Sequence, residues 1–114
     1  MKQIIITRNK TILGFGVALK IKVEYLGHIK NITGNRREEE VEAAEDAAVS
    51  DLLAQLSEKY GAPFRKAIYE PRAADVKPNY IVTVNGLLLN QLKGLGTKLK
   101  QGDHVILMPV VSGG

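Results

Sequence analysis

Few residues in this chain could do chemistry unaided. The two histidines, His28 and His104, lie far apart in sequence, and neither has patterned carboxylates beside it. No metal site is expected from them, and surface or capping roles are the default. The run REEE, Arg37–Glu40, groups three carboxylates. With nothing convergent to set beside it, it suits a solvated edge strand better than acid–base catalysis. Ser50 and Ser112 have no histidine at a spacing that suggests a nucleophile and its base. GLGTK, Gly94–Lys98, reverses the Lys-Thr order of a phosphate loop and precedes a strand rather than a helix. GFG, Gly14–Gly16, lacks the third glycine of a dinucleotide fingerprint. There are no cysteines, which excludes disulfides, thiolate metal sites and cysteine nucleophiles.

What remains is the final stretch, PVVSGG, Pro109–Gly114. A strand-like segment runs directly into Pro109, which limits the exit conformations. Two glycines follow, and Gly114, read as the terminus, supplies a carboxylate. Glycine has no β-carbon, so such a backbone can enter a narrow site. The plainer alternative is a frayed end.

The elements that would position this tail can be read from periodicity. Residues 19–26, LKIKVEYL, alternate, with Leu19, Ile21, Val23 and Tyr25 on one face of a half-buried strand. Ile29 and Ile32 suggest a short helical turn stopped by Gly34. NRREEEVEA has the charge of an exposed edge strand. VSDLLAQLSEKYG places Val49, Leu52, Leu53, Leu56 and Tyr60 on one helical face. Ser50 is its expected N-cap, Gly61 its left-handed stop, and Pro63 the residue that prevents continuation. PFRKAIYE suggests another helical turn, and PRAADVKPN a loop. YIVTV reads as a strand, Asn85-Gly86 as a turn, and HVILMP as the last strand. Strands, a helix, then more strands argue an α+β fold: one mixed sheet of four to five strands, with one main helix packed across it. The first and last of these strands are expected side by side at the sheet centre.

The whole chain sets broader bounds. At 114 residues it is one domain. The net charge of +4 is modest and the basic residues are scattered, so nucleic acid is not an expected partner. No apolar run reaches a membrane span, so no membrane association is expected. Arg8 and Lys10 before the apolar run Ile12–Leu19 resemble an export signal, but no cleavage site follows, and Lys20–Val23 alternate as a strand does. The expected compartment is cytoplasmic. Residues 1–18 read as an extension, either a short hairpin on a sheet edge or an upstream stretch not present in the native protein. The main domain is expected over residues 19–108 and the tail over 109–114.

TKLKQGDHVILMPVVSGG resembles the C-terminal segment of the ubiquitin-like β-grasp sulfur carriers of the MoaD and ThiS type. The shared pattern is carried by Leu99, Gly102, Asp103, Val105–Leu107, Pro109, Gly113 and Gly114. VEYLGHIKNITG is similar to the family's first strand and turn, VSDLLAQLSEKYG to its helix, and IVTVNG to the strand after it. The likeness covers residues 19–114 and is nearest to the molybdopterin synthase small subunits and archaeal ubiquitin-like modifiers. Val110 stands where many of the former carry a second proline, and residues 1–18 have no family counterpart.

The resemblance implies a ubiquitin-like β-grasp fold and a chain without a catalytic site or bound cofactor of its own. A ubiquitin-activating-type enzyme would adenylate the Gly114 carboxylate with MgATP, and Gly113 would let it enter that enzyme's site. A sulfur donor such as a cysteine desulfurase or rhodanese would then convert it to a thiocarboxylate. The molybdopterin synthase large subunit would take the sulfur. Leu107, Met108, Pro109, Val110, Val111 and Ser112 are the expected partner contacts. Two other roles stay open: a protein modifier forming isopeptides through Gly114, and a binding module with an inert tail.

Overall fold

The computed structural model describes residues 5–7, 10–13, 16–73 and 75–110. Strands β1 (Ile5–Thr7), β2 (Lys10–Leu13) and β3 (Gly16–Val17) form an antiparallel three-stranded sheet in the order β1-β2-β3. β3 pairs back onto Ile12 and Leu13, and among the described residues no ladder joins this sheet to the main one.

β4 (Leu19–Tyr25) begins the main fold. Ile21, Val23 and Tyr25 are buried on one face, as their alternation requires. A 3-10 turn over Gly27–Asn31 follows and buries Ile29. β5 (Glu38–Ala43) then returns antiparallel to β4 as an edge strand, with Val41 and Ala43 buried.

Helix α1 (Val49–Tyr60) buries Val49, Leu52, Leu53 and Leu56 completely, the face its periodicity marks. It starts two residues earlier than an N-cap at Ser50 implies, and Ser50 does not cap it. Instead the Asp51 carboxylate accepts from the Ala48 N–H at 2.8 Å, because the chain enters the helix in extended conformation at Ala48. Gly61 ends the helix at φ +75° and ψ −153°, a region natural only to glycine. Pro63 then sits in the first turn of α2 (Ala62–Ala67), where its missing N–H costs nothing. β6 (Tyr69–Glu70) and β7 (Asp75–Val76) make a small two-stranded ladder.

β8 (Tyr80–Val84) turns through Asn85 and Gly86, both at positive φ, into β9 (Leu87–Leu88). The apolar stretch after it forms 3-10 turns at Leu89–Gln91 and Gly94–Gly96. β10 (His104–Pro109) closes the five-stranded sheet, whose order is β5-β4-β10-β8-β9. β10 is parallel to β4 and antiparallel to β8. The first and last strands of the main domain therefore meet at its centre, and the core lies between the sheet and α1. This is an α+β, ubiquitin-like β-grasp fold.

Candidate functional site

β10 is held at both ends. At its start, the Asp103 carboxylate accepts from the Lys100 N–H at 2.8 Å and from Asn85 Nδ2 at 2.9 Å. Asn85 in turn accepts from the His104 N–H at 2.9 Å, and the Asp103 carbonyl accepts from the Lys22 N–H at 2.9 Å. Gly102, at φ +85°, makes the turn that aims Asp103 into this position. The Gly-Asp pair thus fixes the register of the strand that leads to the tail.

At its end, the Leu26 N–H donates to the Leu107 carbonyl at 3.0 Å, and the Val110 N–H donates to the Asn79 carbonyl at 2.8 Å. Gly27, at φ +65°, lies directly against Pro109: a β-carbon there would fall 2.9 Å from the proline Cγ. Beside it His28 Nε2 lies 2.7 Å from the Tyr80 hydroxyl, with the two rings edge-on at 5.9 Å. The last paired residue of β10 is Pro109, opposite Tyr80.

Alternation along β10 separates two sets of side chains. Val105 and Leu107 are fully buried toward α1, whereas Ile106 and Met108 occupy the other face and are only half-buried. Leu107 is therefore corrected as a partner contact. It supports the strand from inside and does not share a surface with Met108. Met108 pairs with Ile81 of β8, and Ile106 with Thr83, so an apolar strip runs over the outer face toward the exit. His104 Nε2 meets Glu24 Oε1 at 2.9 Å on that face. Pro109 is half-buried and Val110 is 47% exposed. Val111, Ser112, Gly113 and Gly114 lie outside the described residues.

A second cluster steadies the end of β4. The Glu39 carboxylate, 8% exposed, pairs with Lys59 Nζ at 2.6 Å and Arg36 at 3.3 Å. It also accepts from the Tyr25 and Tyr60 hydroxyls. Burial alone would raise the Glu39 pKa, but the hydrogen bonds from Lys59, Tyr25 and Tyr60 hold it below the usual carboxylate range. Burial and the Glu39 charge push Tyr25 and Tyr60 upward. The REEE run is thus not uniformly solvated. Glu38 and Glu40 are exposed, whereas Glu39 has the same parity as Val41 and turns inward. That parity was the available signal. For Gly27, His28, Asn79 and Tyr80 there was none, since only the fold brings them to Pro109.

Residues 23–114 match the model of the ThiS family. An Archaeoglobus fulgidus protein named as a sulfur carrier is 34% identical over 71 residues, 62% of this chain and 78% of that protein. Small archaeal modifier protein 3 of Haloferax volcanii is 36% identical over 70 residues, 61% of this chain and 73% of that protein. Among solved structures, small archaeal modifier protein 1 of Methanosarcina acetivorans aligns with a TM-score of 0.69 at 25% identity, covering 87% of this chain and all (100%) of that one. A Pyrococcus furiosus structure titled as a molybdopterin converting factor, subunit 1, aligns with a TM-score of 0.63 at 26% identity, covering 82% and 99%. With the pinned central strand and the Gly-Asp and Gly-Gly signatures in place, the chain belongs to the ThiS family of ubiquitin-like β-grasp sulfur carriers and modifiers.

Proposed function

We propose that this protein carries sulfur as a C-terminal thiocarboxylate and donates it in molybdopterin synthesis, as the small subunit of a molybdopterin synthase. The observation that carries the reading is the anchoring of β10. An apolar central strand, fixed at Asp103 and again at Pro109, leads without a break in sequence to Gly113 and Gly114. The Pyrococcus furiosus relative's title supports the molybdopterin branch. The chemistry follows from the poor electrophilicity of a carboxylate. An oxygen of the Gly114 carboxylate attacks the α-phosphorus of ATP held with magnesium by an adenylating enzyme, and pyrophosphate leaves. A sulfur nucleophile from a desulfurase or rhodanese then attacks the acyl carbon, and AMP leaves with the bonding pair. A persulfide donor leaves an acyl disulfide, which a thiol reduces to the thiocarboxylate. In this reading the protein works in the cytoplasm, where ATP is available.

From Val110 to Gly114 an extended chain reaches roughly 15 Å at about 3.3 Å per residue, enough to separate the reacting carbon from the globular body. Met108, Pro109, Val110, Val111 and Ser112 are the proposed contacts for the activating enzyme and the synthase large subunit. Deleting Gly114 shifts the carboxylate back by roughly one residue. A misplacement of about 1 Å can cost a hundredfold in rate. ATP–pyrophosphate exchange with the cognate activating enzyme should therefore collapse in the deletion variant, with thermal stability unchanged. Wild-type exchange in that variant would end the reading.

A second reading rests on the Haloferax volcanii relative, named as a modifier. The same acyl adenylate could pass to a lysine amine and form an isopeptide. A mass gain of about 16 on this chain (one oxygen replaced by sulfur) supports sulfur transfer. Gly-Gly remnants on lysines of other host proteins support modification. A binding module with an inert tail would show neither.

A further inference from the structure

We propose that His28 and Tyr80 are positioning residues that close over Pro109 and set the direction in which the tail leaves the sheet. The inference rests on the reading of the tail as the active group. Its basis is the placement of three contacts around one residue. Gly27 and His28 follow β4 on one side of β10, and Tyr80 opens β8 on the other. Their side chains meet across the strand, at 2.7 Å between His28 Nε2 and the Tyr80 hydroxyl. Pro109 has the parity of buried Val105 and Leu107, and Tyr80 that of Val82 and Val84, so the pair closes on the face to which the proline ring points. The bare Cα of Gly27 lies against the proline ring, where a β-carbon would fall 2.9 Å from Cγ, and the Val110–Asn79 hydrogen bond at 2.8 Å follows directly.

These residues do no chemistry. They hold Pro109, the last residue of β10, in one orientation, while the next residue, Val110, is already exposed. A tail launched in a fixed direction loses less freedom on entering an activating enzyme, so the gain belongs to association rather than to bond making. Removing the hydrogen bond weakens one equilibrium by about fivefold. Gly27→Ala acts on the same seat more strongly. It adds a β-carbon 2.9 Å from Pro109 and disfavours φ +65°.

The test is ATP–pyrophosphate exchange with the cognate activating enzyme, with the full chain as the varied substrate. Tyr80→Phe, which keeps the ring, should raise KM about fivefold and leave kcat unchanged. His28→Ala should match it, and His28→Gln, which can still accept from the hydroxyl, should recover part of the loss. Amide hydrogen exchange on the protein alone gives a second readout. Tyr80→Phe should speed exchange at Val110 several-fold and leave Val105 and Leu107 unchanged. Equal acceleration at all three amides would assign the pair to global stability and overturn the proposal. So would unchanged KM and unchanged Val110 exchange in both His28→Ala and Tyr80→Phe. Loss of exchange activity on Gly114 deletion alongside either result would leave the tail reading intact, and full activity in that deletion would end the tail reading instead.

Discussion

Single residues act here through what surrounds them. Glu39 sits in an exposed acidic run, yet four donors surround it, and its pKa is held low. A carboxyl whose folded pKa lies below its unfolded value contributes stability above the unfolded pKa and loses it as pH falls through the folded one. Glu39→Gln should therefore cost about 1–3 kcal/mol near neutral pH, on the scale of hydrogen bonds to a charged group. The gap to wild type should close below roughly pH 4, as the wild-type carboxylate protonates. The raised tyrosines act on the alkaline side: above roughly pH 10 the unfolded chain ionises them more readily, so stability falls there. Thermal melts across pH would check both limbs. Met108 belongs to the outer strip rather than the core. Met108→Asp would set a charge where desolvation is costly. It should weaken binding to the activating enzyme or the synthase large subunit at least tenfold, with the melting temperature nearly unchanged. Equilibrium titration would measure this.

At the scale of elements, α1 and β10 divide the work. α1 supplies the core against which the sheet is packed, and Leu56 on it is fully buried. Leu56→Ala should cost roughly 2–5 kcal/mol in denaturant unfolding, the range for a core cavity. β10 supplies direction. Its parallel pairing with β4 and antiparallel pairing with β8 use both its edges, so the strand before the tail cannot slip without breaking two ladders. The Asp103 and Asn85 side chains fix where the strand begins, and Gly27 and Asn79 fix where it ends.

At the scale of the molecule, a β-grasp body follows an N-terminal sheet that, among the described residues, shares no ladder with it. Deleting residues 1–17 should accordingly leave a folded protein that the adenylating enzyme still activates. Circular dichroism and pyrophosphate exchange would check the two halves of that expectation. Among the described residues no helix is long and apolar enough to cross a membrane. A specific complex on the outer strip should bury at least about 1,000 Å² in total. That is more than Ile81, Ile106 and Met108 can offer alone, so a partner should also cover the tail and its exit.

Much of this was legible from sequence because it depends on period and on local turn chemistry. Alternation in LKIKVEYL, the helical spacing of Val49, Leu52, Leu53 and Leu56, and the Asn85-Gly86 and Gly102-Asp103 turns each encode their structure within a few residues. The Gly-Gly motif is equally local, and together with the first strand, the helix and the strand after it, it carried the resemblance. What the tertiary structure decided involves residues far apart in the chain. Leu107 and Met108 are neighbours in sequence, but the pleat sends one into the core and the other to the outer face. Glu39 becomes a buried acceptor only because Tyr25, Lys59 and Tyr60 arrive from β4 and α1. His28 meets Tyr80 only because β10 threads between their strands, and no spacing along the chain encodes a contact made by two segments folding around a third.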